Sequence, residues 1–375
     1  MLNQQEINRY SRHIILPEIG KVGQEKLKAA KVLVIGAGGL GCPILQYLTA
    51  AGVGKIGIID FDVVDESNLQ RQILFNVDDI GQHKARVAAA RLKKQNPFVD
   101  FHVFQEKLDV LNALQVIQDY DLVVDGCDNF ATRYLVNDAC VILDKPFVFG
   151  SIFKFEGQVS VFNFKEPNGH HGPTYRCLFP DTPSQDEAPN CATIGVLGIL
   201  PGIIGTFQAN EAIKILTGIG HPLSGKLLMF DALTMQFHTI KFKAVEENHK
   251  IKQLKKSYEE VCAIEEEVET MQSLTVQELQ NKIEAGEDLF LLDVREDYEQ
   301  EICSIGGLLA PMNDINKYIQ KIPKDKPVIV YCHHGMRSAW AINYLKKEHS
   351  FTNLYNLEGG IHQWALQVDK DMDVY

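Results

Sequence analysis

KVLVIGAGGLGCPILQYLTAAGVGKIGIID, residues 31 to 60, runs from an apolar stretch through a glycine-rich turn and an amphipathic stretch to a second apolar run. The period changes from strand-like (KVLVIG) to helix-like (CPILQYLTAAG) and back (KIGIID), which predicts a βαβ unit. Gly36, Gly38 and Gly41 satisfy G-x-G-x-x-G at the strand-to-helix turn, where glycine lets backbone approach a phosphate at a helix N-terminus. Asp60 ends the second strand nineteen residues after Gly41, a position from which a carboxylate accepts hydrogen bonds from ribose hydroxyls. On these features alone, a dinucleotide-binding fold explains the stretch as well as any other nucleotide site does.

Outward from this unit, the apolar runs DLVVDG (121–126) and PFVFGS (146–151) alternate with helical patterns such as KARVAAARLKKQ. That alternation predicts a mostly parallel sheet covered by helices. Beyond residue 157 the stretches GQVSVFNF, KLLMFDA and MQFHTIKF predict strands that pair antiparallel. The expected first domain, residues 1–245, is therefore a Rossmann-like α/β fold with a mixed sheet. Residues 246–271 are rich in charge and poor in apolar periodicity, as in a linker. SLTVQELQNKIEAG then restarts with a capping signal, followed by the strands LFLLDV and PVIVY and another helix, which predicts a smaller α/β domain over residues 272–375. A chain of 375 residues suits two cores.

The net charge of −12 argues against free nucleic acid or an anionic membrane as partner, since both need clustered Lys and Arg. MLNQQEINRYSRHIILPEIG lacks the basic start, apolar centre and cleavage site of a secretory signal, so a cytoplasmic protein is expected. The apolar stretch IGVLGILPGIIG is too short for a bilayer and is broken by Pro201, so no membrane span is expected. The eight cysteines include no CxxC pair, which signals neither a disulfide framework nor a zinc knuckle.

Downstream of Asp60, DFDVVDESNLQRQ places Asn68, Arg71 and Gln72 near the same crevice. An arginine beside a phosphate site stabilises a transferring phosphoryl or nucleotidyl group, a service that hydride transfer does not need. Lys84 opens a helical pattern, and Asp128 and Asn129 lie just past a strand end, where an aspartate would hold the Mg²⁺ that accompanies ATP. Taken singly, each of these charges reads equally well as a solvated surface residue.

Taken together, six blocks in order carry a resemblance: RYSRHIILPEIG, VLVIGAGGLGCPILQYL, SNLQRQ, DNFATRYLVNDAC, FEGQVSVF and GVLGILPGIIGTFQANEAIK. Over most of residues 5–245 the chain resembles the ubiquitin-activating-like adenylyltransferases that act on molybdopterin synthase and thiamine sulfur carriers. The resemblance implies an ATP site at Gly39, Asp60, Ser67, Asn68, Leu69, Gln70, Arg71, Lys84, Asp128 and Asn129. It implies a homodimer in which Arg12 reaches the partner subunit's site. It also implies that Cys191 sits in a crossover loop that some members link covalently to the carrier, although its residue type alone reads as a small buried thiol. Many relatives hold a structural zinc with two CxxC pairs. Here Thr174 stands where the first cysteine would be, Cys177 alone cannot fill four positions, and His170 and His171 read as solvated, so no structural zinc is expected.

In YCHHGMRS four residues separate Cys332 from Arg337, fewer than in the phosphate-wrapping loop of cysteine phosphatases. With LLDVRE (291–296) and LEGGIHQW (357–364), this loop resembles the rhodanese-like sulfurtransferases over roughly residues 272–370. Backbone N–H groups around Cys332, with the charge of Arg337, are expected to favour a thiolate or persulfide. The two resemblances imply one reaction: adenylylation of the C-terminal glycine of a small ubiquitin-like carrier ending in Gly-Gly, helped by Arg12, Arg71, Lys84 and Asp128-bound Mg²⁺. A Cys332 persulfide, charged by a persulfide donor, then gives the thiocarboxylate. An alternative is a protein-modifier activator that ends in a Cys191 thioester, its second domain only docking a partner.

Overall fold

Strand β1 (Lys31–Ile35) is buried along all but its first residue, and its side chains feed two different cores. Val32 and Val34 pack with Leu45 and Leu48 of the helix Gly41–Ala51. Leu33 and Ile35 point the other way, into a core with Leu135 and Ala139 of the helix Phe130–Ile142. A strand covered on both faces has no polar side to show, which is why KVLVI reads as a continuous apolar run.

In this computed structural model every residue is described except 167–168, 182–194, 259–270 and 374–375. The chain forms two compact units, residues 1–261 and 262–375. In the first, β1 joins β2 (Lys55–Ile59), β3 (Asp100–Phe104), β4 (Leu122–Asp125), β5 (Phe147–Phe153), β6 (Glu156–Phe162), β7 (Lys226–Asp231) and β8 (Gln236–Lys241) in the order β3-β2-β1-β4-β5-β6-β7-β8. The strands β1 to β5 run parallel and β5 to β8 antiparallel, the mixed Rossmann-like sheet expected from the sequence. From β1 the chain runs outward through β2 to β3 and then crosses back to β4 on the other side of β1, so the crevice beyond the carboxyl ends of β1 and β4 is a topological switch point.

The charged stretch that follows β8 is not wholly detached. Glu246–His249 form a 3₁₀ turn, Leu254 and Tyr258 pack against the β1–β4 core, and the Tyr258 hydroxyl donates to Asp138 Oδ2 at 2.7 Å. Two apolar side chains and one hydrogen bond suffice to hold a segment whose average composition reads as a tether.

The second unit is a five-stranded parallel sheet of β9 (Ser273–Leu274), β10 (Phe290–Asp293), β11 (Leu308–Leu309), β12 (Val328–Tyr331) and β13 (Leu354–Leu357), in the order β11-β10-β12-β13-β9. Thr275 and Glu278 form the capping box that starts the helix Val276–Glu284. Both tryptophans of the chain, Trp340 and Trp364, belong to this unit. Among the described residues no helix is long and apolar enough to cross a membrane.

Candidate active site

The switch-point crevice of the first unit is a cavity of about 620 Å³, and its walls bring together Gly36, Gly38, Gly39, Asp60, Gln70, Arg71, Lys84, Asp128 and Asn129. The glycines are there for space. Gly36 has φ +88°, and a Cβ on it would stand 2.8 Å from the carbonyl oxygen of Gly126, while a Cβ on Gly41 would collide with the carbonyl oxygen of Gly36. Gly41 thus packs the helix start against the turn and does not itself line the cavity.

Asp60 accepts the Ala37 N–H at 2.7 Å on one oxygen and the Asp62 N–H at 2.8 Å on the other, which fixes it across the mouth of β1. Burial pushes its carboxyl above the ordinary range, against the pull of those two donors and of Lys84. Lys84 is the first residue of the helix Lys84–Gln95; its ammonium is buried and donates to Asp62 Oδ2 at 2.9 Å. Arg71 is held by its own turn, donating from Nη1 to the Ser67 carbonyl at 2.9 Å. Ser67, Asn68 and Leu69 do not line the cavity: Asp65 caps the turn through the Ser67 N–H, and Leu69 packs against the core, so these three serve as a scaffold for Gln70 and Arg71.

Asp128 is exposed and has no ion-pair partner among the described residues, so its carboxylate is available to a divalent cation. Arg12 is exposed on the short helix Ser11–Ile14 and does not line the cavity of its own chain. Cys191 lies outside the described residues, although Gly195 and Val196 just beyond it line the cavity.

Arg133 lines the cavity too, although it was not singled out from the sequence, and a residue behind the wall holds it. Asp125, fully buried at the end of β4, pairs with Arg133 in the following helix, and Arg133 reaches the carbonyls of Cys127 at 3.2 Å and Gly150 at 3.4 Å. Its guanidinium carbon stands 4.9 Å from the ring centroid of Phe149, another lining residue. The available signal was an aspartate that ends an apolar strand with an arginine eight residues on, in the next helix. Cys127 lines the cavity too, but burial and then the Asp125 charge push its thiol well up, which opposes the thiolate form.

Cys177 Sγ is met by the Val245 N–H at 3.2 Å, the Thr174 N–H at 3.4 Å and the Asn248 Nδ2 at 3.5 Å. Three donors thus converge on one sulfur. His171 faces His249 with ring centroids 5.7 Å apart, and among the described residues neither joins Cys177 in a cluster of three ligand-type groups.

In the second unit Cys332 follows β12, is 1% exposed, and lies just before the helix Met336–His349. The Gly335 N–H donates to its Sγ at 3.1 Å, a turn made possible by φ +91° at that glycine, and Ser338 Oγ lies 3.5 Å from the sulfur. Arg337 turns to Glu299 instead, donating to both carboxylate oxygens at 2.6 Å. Behind this pair the buried Asp293–Arg295 pair of the LLDVRE motif continues the ladder, with Arg295 Nη1 donating to the Glu299 carbonyl at 3.2 Å. Arg337 therefore meets the cysteine loop with its charge already matched. Burial, then His334 and His362, push His333 down to about 4, so it is neutral at physiological pH.

A glycine-lined crevice with acidic and basic groups on its walls, joined in one chain to a cysteine whose sulfur accepts a backbone N–H, suits a two-module transferase. The ThiF family matches residues 10–251, and the rhodanese-like domain matches residues 275–367. Over 381 aligned residues the chain is 45% identical to the probable adenylyltransferase/sulfurtransferase MoeZ of Mycobacterium tuberculosis, covering 100% of this chain and 96% of that protein. It is 52% identical to the sulfur carrier protein adenylyltransferase of Thermus thermophilus, over 63% of this chain and 88% of that one. Among solved structures, E. coli MccB superposes with a TM-score of 0.56 at 22% identity, over 65% of this chain and 71% of MccB, a likeness of fold alone. The chain belongs to the ThiF family, carries a C-terminal rhodanese-like domain, and is an enzyme of the adenylyltransferase/sulfurtransferase type.

Proposed function

We propose that the first unit uses ATP to adenylylate the C-terminal glycine of a small ubiquitin-like sulfur carrier ending in Gly-Gly, and that Cys332 then supplies the sulfur. The observation that carries this reading is the pairing of the two sites in one chain: a cavity with Arg71, Lys84 and Asp128 on its walls, and a cysteine whose sulfur already accepts a backbone N–H.

In the first step a carboxylate oxygen of the carrier attacks the α-phosphorus of ATP, and the bond to pyrophosphate breaks. No protein nucleophile is needed. Alignment and charge neutralisation are the catalytic tasks, which suit Arg71 and Lys84, with Arg12 offered from the partner of a homodimer, as its exposure permits. Asp128 would hold the Mg²⁺, whose charge would screen the phosphates.

A persulfide donor loads Cys332. The outer sulfur then attacks the acyl carbon, AMP leaves, and an acyl disulfide forms between carrier and Cys332. Attack of an external thiol on Cys332 Sγ releases the thiocarboxylate and leaves a mixed disulfide, which a second equivalent of that thiol reduces; Cys191 is assigned to holding the carrier, as the resemblance implies. The carrier determines whether the product serves molybdenum cofactor or thiamine synthesis.

The test is to incubate the chain with ATP, Mg²⁺, a persulfide donor and a Gly-Gly-ending carrier, and then to weigh the carrier. One oxygen replaced by sulfur, lost in Cys332→Ser while ATP–pyrophosphate exchange continues, is the expected result. A carrier of unchanged mass, or full conversion by the Cys332→Ser variant, would overturn it.

A further inference from the structure

Two histidines follow Cys332, and a third arrives from elsewhere in the chain. The Ile361 N–H donates to the Cys332 carbonyl at 2.9 Å and the His362 N–H to the His333 carbonyl at 3.0 Å, so the helix Gly360–Gln367 is tied at its start to the cysteine loop. The close approach depends on Gly360, where a Cβ would collide with both carbonyl oxygens. His362 is thereby fixed beside the pair His333 and His334.

One ligand-type nitrogen from each of His333, His334 and His362 lies within 4.8 Å of the other two. His333 and His334 stack with centroids 4.0 Å apart, and His362 meets His334 edge-on at 4.7 Å. His362 Nδ1 is buried and has no hydrogen-bond partner, whereas His334 is exposed. A tetrahedral ion with Zn–N bonds of about 2.0–2.1 Å needs nitrogens roughly 3.4 Å apart. Closing from that 4.8 Å bound falls mainly to His334, the exposed member of the set.

We propose that His333, His334 and His362 form a site for one borderline divalent cation of the zinc type, at the rim of the Cys332 loop. Three protein nitrogens leave the fourth position open for water or a sulfur ligand, as in sites where a metal meets substrate and unlike closed structural ones. The site is independent of how Cys332 is used.

The probe is Co²⁺, titrated into the untagged full-length chain carrying Cys332→Ser, so that the thiolate contributes no binding. One equivalent is expected, with the visible bands of a nitrogen-ligated ion of low coordination number. Affinity should fall at least tenfold in His362→Gln and, separately, in His334→Gln, with circular dichroism reporting that each variant is folded. Binding that neither substitution weakens, or the absence of a bound equivalent in the chain with all three histidines, would overturn the proposal.

Discussion

Asp125 and Arg133 carry opposite charges at 0% and 4% exposure, and their one ion pair spans 3.3 Å. Removing one partner of a buried pair leaves the other desolvated and unmatched, which costs about 3–5 kcal/mol. Asp125→Ala should lower the unfolding free energy of the first unit by that amount in urea titrations of the intact chain. It should also loosen the Cys127 N–H that Asp125 accepts at 3.0 Å. A loss under about 1 kcal/mol would mean that the carbonyl contacts of Arg133 carry its charge unaided. Asp60 was legible from its place at a strand end, whereas Arg71 and Lys84, which line the same cavity, were set apart from solvated surface charges only through the family resemblance. Arg133 was not, since a sequence shows a charge but not its burial. The same limit applied at Arg337, whose bond to Glu299 reaches across 38 positions of chain.

At the scale of elements, long runs buried on both faces, such as β1, β2 and β4, announce themselves, and so does the Thr275–Glu278 cap. The two-residue strands β9 and β11 do not, because two residues have no period; they exist only through pairing with β13 and β10. The stretch 246–258 misleads in the opposite sense: its charge density conceals Leu254 and Tyr258, which bind it to the first unit. In the second unit the informative element boundary is Gly360, with φ +58° and two carbonyl oxygens where a side chain would go. Gly360→Ala should destabilise this unit by at least about 1 kcal/mol, because backbone atoms cannot swing aside as a flexible side chain does. Tryptophan fluorescence in urea reads that loss directly, and an unshifted midpoint would show that the helix start can retreat without cost.

Because Trp340 and Trp364 both lie in the second unit, tryptophan fluorescence of the whole molecule follows that unit, whereas circular dichroism follows both. This separation exposes a pH effect in the first unit. Burial and then His171 hold His249 below its ordinary 6.5. A histidine with a depressed folded pKa binds fewer protons folded than unfolded, so its stabilising contribution is complete above 6.5 and is lost as pH falls below it. The first-unit transition, seen by circular dichroism and silent in fluorescence, should therefore move to lower urea on acidification, by less in His249→Gln. Equal shifts in both proteins would place the acid sensitivity elsewhere. The ladder Asp293–Arg295–Glu299–Arg337 sets a different kind of limit. Its signs alternate and cancel within the two ion pairs, so removing the charge of any one of the four leaves that residue's partner unmatched. For protein engineering the four form a linked set: a charge at one member is changed at least cost together with its ion-pair partner, Asp293 with Arg295 or Glu299 with Arg337.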